Sequence, residues 1–272
     1  LGVRVSYADL LREMFPDLNP EVDDLFLLEA HQIAGLPERA PVRELAAVLH
    51  AHPRLHRFLV NRHPPIDGFL ATLLTEHGPA GPDELVACEQ ALSWELADLI
   101  AYQRAPEIYD TGSKVDWDIA SVAEVVALDG KVVIDGGAGT GRVTFDAAPA
   151  ARTVFAVEPV ATLRSFMRKK ATGLGFDNVF VLDGFLHAIP LPAASADVLL
   201  TCQAIGWDLP HELQEIDRVV KQGGIAMHLF GVPEAAQPDN PLHEPLVAYG
   251  YRRDTYVNPS VHIVRYWKKI GG

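Results

Sequence analysis

Three glycines at alternate positions, Gly137, Gly139 and Gly141, follow Asp135 directly after the apolar run Val132-Val133-Ile134. A β-branched run of this kind reads as a buried parallel strand. Glycine permits positive φ and lets a ligand lie against bare backbone. The segment Arg142-Val143-Thr144-Phe145 then resumes as a short helix whose first amides face the loop. Two acids end further apolar runs: Glu158-Pro159 follows Thr153-Val154-Phe155-Ala156-Val157, and Asp183-Gly184-Phe185 follows Val179-Phe180-Val181-Leu182. A carboxylate at the tip of the second strand offers two oxygens, enough to accept both hydroxyls of a ribose. Strand, glycine turn and helix together open a nucleotide-binding α/β sheet.

Spacing decides which nucleotide. A dinucleotide fold needs Gly-x-Gly-x-x-Gly, and the sixth position from Gly137 is Arg142. A phosphate loop needs Lys-Ser/Thr after its last glycine, and no Lys follows Gly141. What remains, Asp-x-Gly-x-Gly-x-Gly directly off a strand, resembles the first motif of the class I S-adenosylmethionine-dependent methyltransferases. Downstream, Ile189-Pro190-Leu191-Pro192-Ala193-Ala194-Ser195-Ala196-Asp197-Val198 is similar to that family's Leu-Pro-Phe-x-x-x-Ser-Phe-Asp-Val-Val run into strand four. The stretch Glu212-Leu213-Gln214-Glu215-Ile216-Asp217-Arg218-Val219-Val220-Lys221-Gln222-Gly223-Gly224 is similar to its helix and Lys-Pro-Gly-Gly turn before strand five. Gly223 and Gly224 suit the left-handed cap that would end such a helix. The resemblance spans Lys131 to about Phe230 and is nearest the small-molecule branch. Gln222 departs from the usual Pro, and Trp207-Asp208 stands where many members carry a His pair.

The resemblance implies a Rossmann-like α/β fold with a seven-stranded, mostly parallel sheet of order 3-2-1-4-5-7-6, closed by an antiparallel hairpin from 251–257 and 261–267, so that the C-terminal end is complete. It implies S-adenosyl-L-methionine as cofactor. Backbone around Gly137, Gly139 and Gly141 would hold the methionine end, with Asp135 bracing the loop. Glu158 and Pro159 would meet the ribose, and Asp183, Gly184 and Phe185 the adenine. Gln203, just after strand four, and Tyr109, from an aromatic-acid pair with Asp110, would complete the cofactor contacts. Tyr102, Trp117 and Trp207 are aromatic candidates for a substrate wall. His187 and His211 fall at the sheet edge where a general base would stand, whereas His228 lies inside strand five as an interior histidine.

The implied activity is methyl transfer to a small-molecule acceptor. A non-catalytic S-adenosylmethionine-binding or regulatory protein, and a protein or peptide methyltransferase, are the alternatives.

The elements that must position these residues follow from the wider chain. At 272 residues it exceeds one typical core and suggests two domains. Residues 1–108 read as an all-helical cap or lid, 109–130 as linker and first helix of the core, and 131–272 as the cofactor-binding domain. Within the front half, helices are expected over 20–36, 41–51, 65–77 and 82–103, each opened by proline. The charge is uneven, −12 over residues 1–125 against −1 for the remainder. An acidic front half repels phosphate backbones, which argues against nucleic acid and anionic membrane as partners. Arg164, Arg168, Lys169 and Lys170 form the one dense basic patch, on a helix face read as solvated. No apolar run is long enough to cross a bilayer, no signal peptide opens the chain, and two cysteines are too few for a disulfide framework. The expectation is a reduced, cytoplasmic protein, with a homodimer through the front half left open. The sequence starts at Leu1, so the native start can lie outside it. His50, His52, His56 and His63 crowd together without a cysteine and are read as surface or core-edge residues, with no metal expected.

Overall fold

Proline sets the starts of the N-terminal helices. Pro41 precedes the helix Val42–Ala51, and Pro53, Pro82 and Pro106 are the first residues of Pro53–Arg62, Pro82–Glu95 and Pro106–Gly112, where the missing N–H costs nothing. The computed structural model describes residues 6–112, 117–231, 241–259 and 261–271. It divides into two units, Leu1–Lys114 and Val115–Gly272.

In the first unit, every element among the described residues is helical. The core gathers Leu25, Leu28, Ile33, Leu45, Val48, Leu55, Leu59, Leu70, Leu92, Leu96 and Ile100, all buried. Two expected helices are broken. The 20–36 segment becomes the 3-10 turn Val22–Leu27 and the short helices Ala30–Ala34 and Leu36–Arg39. Glu21 and Glu29 each begin a fresh capping box, closed by Asp24 and Gln32, whose side chains accept the Glu21 and Glu29 amides at 2.8 and 2.9 Å. The 82–103 segment bends at Leu96 (φ −106°, ψ 14°) and continues as Ala97–Arg104. Beyond the bend, Leu99 and Ile100 serve the main core while Ala97 and Ala101 pack with Leu11, Phe15 and Leu18. The helix Pro106–Gly112 replaces the linker expected there and belongs with the first unit.

The second unit is a seven-stranded sheet: β1 Val132–Gly136, β2 Thr153–Val157, β3 Val179–Leu182, β4 Ala196–Cys202, β5 Val220–Gly231, β6 Arg252–Val257 and β7 His262–Lys269. Their order is β3-β2-β1-β4-β5-β7-β6. The first five pair in parallel, and β7 and β6 return antiparallel at the far edge. Every residue of β1 is buried, as a strand covered on both faces requires. Val133, Val154, Val198, Leu200 and Met227 face one layer, while Ile134, Val157, Leu199, Ile216 and Tyr266 face the other. This parallel arrangement brings the C-terminal tips of β1 to β5 to one edge, with the β1/β4 switch point at its centre.

Gly223 and Gly224 do not cap a helix. The helix Leu209–Val219 ends earlier, because Val220 is already extended and paired with Ala196. The register then jumps from Ala196–Val220 to Val198–Ile225, an irregularity that Gly223 accommodates at φ +80°. A Cβ at Gly224 would lie 2.7 Å from the Asp197 carbonyl oxygen, so only glycine fits this close crossing. Asp239-Asn240-Pro241 has the composition of a turn, and its first two residues lie outside the described residues. No helix among the described residues is long and apolar enough to cross a membrane.

Candidate functional site

The backbone after β1 turns at the alternate glycines. Gly137, Gly139 and Gly141 have φ of +69°, +58° and +88°, the left-handed region that side chains resist. The Gly137 and Ala138 amides both donate to the Val157 carbonyl, at 2.9 and 3.1 Å, which folds the loop against the tip of β2. A Cβ at Gly137 would also collide with the Cβ of Ala204, beyond β4. Gly141 serves as N-cap of the helix Arg142–Ala147.

Two buried carboxylates secure this turn from opposite sides. Asp135, in β1, accepts the Thr144 hydroxyl at 2.6 Å and so ties the strand to the helix beyond the loop. Burial raises its pKa to about 6, opposed by the Thr144 hydrogen bonds. Glu158, just past β2, accepts the Gly139 amide at 2.8 Å on Oε2 and the Val160 amide at 2.9 Å on Oε1. Burial raises its pKa to about 7 against those two bonds, with Asp135 adding to the rise and Arg164 opposing it.

Beyond β3, the Asp183 side chain is 69% exposed and pairs with Arg164 at 3.0 Å. Arg164 itself is 11% exposed and also donates to the carbonyls of Glu158 and Pro159, at 2.9 and 2.6 Å. The solvated face expected for this arginine is therefore not what the structure shows. At Gly184 a Cβ would come 2.7 Å from Pro190 Cδ, so glycine permits the loop to fold back. Phe185 stacks on His187, ring centroids 5.2 Å apart and 10° between planes.

The tip of β4 contributes a second fixed turn. Gln203 adopts φ +57°, its amide donates to the Leu229 carbonyl at 3.0 Å, and its side chain reaches the Gly231 carbonyl at 3.2 Å. Glu212 is buried and accepts the amides of Gly206, Trp207 and Asp208 at 2.7, 3.2 and 3.3 Å. Trp207 is held outward on this turn and is 72% exposed. His211 lies beside it, its Nδ1 2.8 Å from Asp208. Burial and the nearby Asp135 push the Cys202 thiol up to about 12, which leaves it protonated and a poor nucleophile at neutral pH. His228 is fully buried in β5 with Nδ1 2.9 Å from the Thr201 hydroxyl, and burial lowers its pKa to about 3.

The structure thus draws Asp135, the three glycines, Glu158, Pro159, Asp183, Gly184, Phe185 and Gln203 to the tips of β1 to β4. Tyr109 belongs to the first unit, edge-on to Tyr102 at 4.6 Å and tilted against Phe15. Tyr102 packs on that unit's core, and Trp117 packs against the sheet layer holding Val133 and Val198. Of the histidine group, His52 pairs with Glu89 at 2.6 Å and His50 with the His77 carbonyl. Sequence reasoning missed Thr144, Arg164 and Glu212. Glu212 had a readable signal, an acid in the first turn after Pro210.

Residues 134–228 match the family described as the methyltransferase domain. Uncharacterized methyltransferases of Mycobacterium tuberculosis and Mycobacterium bovis are 30% identical over 125 residues, which is 46% of this chain and 46% of theirs. The match therefore spans just under half the length of those relatives. Among solved structures, an S-adenosylmethionine-dependent methyltransferase from Aquifex aeolicus aligns over 62% of this chain and 92% of its own, at 19% identity and TM-score 0.47. A precorrin-6y C5,15-methyltransferase from Geobacter metallireducens aligns over 58% and 92%, at 21% identity and TM-score 0.46.

Proposed function

We propose that the second unit, whose residues 134–228 match a methyltransferase domain, is a class I S-adenosylmethionine-dependent methyltransferase domain, and that this chain transfers a methyl group to a small-molecule acceptor. The observation that carries the reading is the alternate-glycine turn fastened to a buried acid, Gly139 N–H to Glu158 at 2.8 Å. A turn built only to connect a strand to a helix has no need of three left-handed glycines and a desolvated carboxylate.

The residues present fit the cofactor. Gly137 leaves no room for a side chain beside Ala204, so bare backbone faces the turn where a methionine end would lie. Glu158 and Pro159 would meet the ribose, while Asp183, Gly184 and Phe185 would meet the adenine. Asp135 holds the turn through Thr144 and Gln203 closes the β4 side. When bound, S-adenosylmethionine supplies an electrophilic methyl group on a sulfonium sulfur. The chain's task is then alignment of an acceptor with that methyl, which can supply up to about 7–11 kcal/mol of a barrier reduction. Trp207, exposed on a turn fixed by Glu212, is our candidate for an aromatic face toward the acceptor. His187 and His211 are kept as base candidates, since both stand at this edge.

Calorimetry with S-adenosylhomocysteine and with NAD tests the cofactor: binding of the first alone supports the reading, and binding of NAD alone sinks it. A screen of metabolite pools with isotopically labelled methyl donor identifies the acceptor. One observation favours a second reading, a peptide acceptor: the −12 charge of residues 1–125 would attract a basic partner. Salt-sensitive capture of a basic peptide that becomes labelled would support it.

A further inference from the structure

Arg164 lies in the first turn of the helix Ala161–Leu174, its amide bonded back to the Val160 carbonyl. Its guanidinium joins three groups on two different strand tips. One nitrogen donates to the carbonyls of Glu158 and Pro159, and another donates to Oδ2 of Asp183 at 3.0 Å. One turn further along, Arg168 donates to the Val181 carbonyl in β3 at 3.1 Å. The helix is thus stayed twice, once to the body of β3 and once to the gap between β2 and β3.

Only the second stay touches residues assigned to the nucleoside. A planar guanidinium fixes the direction of its partners as well as their distance. The Glu158 carboxylate is left to the Gly139 and Val160 amides, because Arg164 takes the backbone carbonyl of that residue instead. Asp183 has one oxygen occupied by Arg164. A carboxylate carries about four acceptor sites, so Oδ1 stays able to accept from a ligand.

Resting on the cofactor assignment above, we propose that Arg164 is a positioning residue for nucleobase choice. It turns Asp183 so that an acceptor-only oxygen faces the base edge, which favours an exocyclic amine there and disfavours a carbonyl. The ligand class is a 6-aminopurine nucleoside thioether, discriminated from its 6-oxo counterpart through an arginine that need not touch the base.

The experiment measures Kd for S-adenosylhomocysteine and for S-inosylhomocysteine, its deaminated analogue, with thermal unfolding alongside. The native chain should prefer the adenosyl ligand by about tenfold or more. Arg164→Met should collapse that ratio at least about threefold. Arg168→Met, which removes only the stay on β3, should leave the ratio intact even if it lowers Tm. Asp183→Asn keeps a carbonyl oxygen for Arg164 and turns the amide N–H2 toward the base, so it should prefer the inosyl ligand. Adding Arg164→Met to Asp183→Asn should abolish that inverted preference, since the amide can then rotate freely. Asp183 is largely exposed, so this variant provides a test even if Arg164→Met fails to fold. Loss of Tm in Arg164→Met with an unchanged ratio, or no inversion in Asp183→Asn, would overturn the proposal. A native chain that binds neither nucleoside fails the cofactor assignment itself, which is a separate result.

Discussion

The Gly139 amide and the Glu158 carboxylate are 2.8 Å apart, so the middle glycine of the turn after β1 is tethered to the acid that ends β2. The loop and the ribose acceptor assigned to it therefore form one mechanical piece. Removing either end should be felt at the other.

Glu158→Ala should weaken S-adenosylhomocysteine binding by about 1.5–3 kcal/mol, the usual worth of a hydrogen bond to a charged group. The far-ultraviolet circular dichroism spectrum should be unchanged. Calorimetry on the variant checks this, and native-like affinity would remove Glu158 from the site.

Acid dependence follows from the same residue. Its folded pKa of about 7 lies above the ordinary value of 4.5, so the folded chain binds the proton more tightly than the unfolded chain. Stability from this group is fully present below pH 4.5 and is lost as pH rises through 7. The loss is on the order of 3 kcal/mol. Asp135, raised to about 6, acts with the same sign. Ligand affinity should move oppositely, rising with pH through about 7 as the better acceptor, the carboxylate, becomes populated. Glu158→Gln should flatten the affinity profile and leave only the Asp135 part of the stability profile, read by Kd and by denaturant unfolding from pH 5 to 8.5.

The glycines should not be equally sensitive. Gly139→Val places a β-branched side chain at φ +58° and should abolish binding. Gly136 is not left-handed, and a Cβ there would press on the end of the buried Leu186 side chain, which must shift, and touch Thr201 at ordinary contact distance. Gly136→Ala should cost about 1–3 kcal/mol in stability, as Leu186 gives way, and retain binding. The opposite order in a binding assay would mean that the ligand does not lie against Gly139.

Thr144→Val should leave the buried Asp135 carboxylate without its hydroxyl donor. Unfolding free energy should fall by about 1–3 kcal/mol, measured in urea at pH 7.5. At pH 5, where Asp135 carries its proton, the penalty should shrink.

Strands were the most legible part of this chain. Val132–Gly136 and Thr153–Val157 coincide with the apolar runs that announce them, because a strand in the middle of a sheet covered on both faces needs an unbroken β-branched or aromatic stretch, and Val179–Leu182 keeps such a run although it is the edge strand and Phe180 is half exposed. The sheet order follows the motif resemblance. The bend at Leu96 is hidden because Leu92, Leu96, Leu99 and Ile100 keep helical spacing across it and share one core, while the second cluster that takes Ala97 and Ala101 is a tertiary fact. Gly223 reads in the sequence as a helix cap because left-handed backbone suits a cap and a strand irregularity equally. Among the residues at the sheet edge, Asp135, Glu158 and Asp183 could be picked out by their places at strand ends. Arg164 could not, since its partner Asp183 lies nineteen positions away and only the packed helix brings the two together.

The turn fixed by Glu212 also gives the protein an optical handle. The chain has four tryptophans, and Trp207 alone is among the exposed large side chains, with its indole facing water. Its fluorescence should be red-shifted and readily quenched by iodide relative to the packed indoles. Any molecule that settles on that ring will shift its emission to the blue, so a plate of candidate acceptors can be ranked by colour before any product is identified. Trp207→Phe should erase the signal while leaving the fold in place.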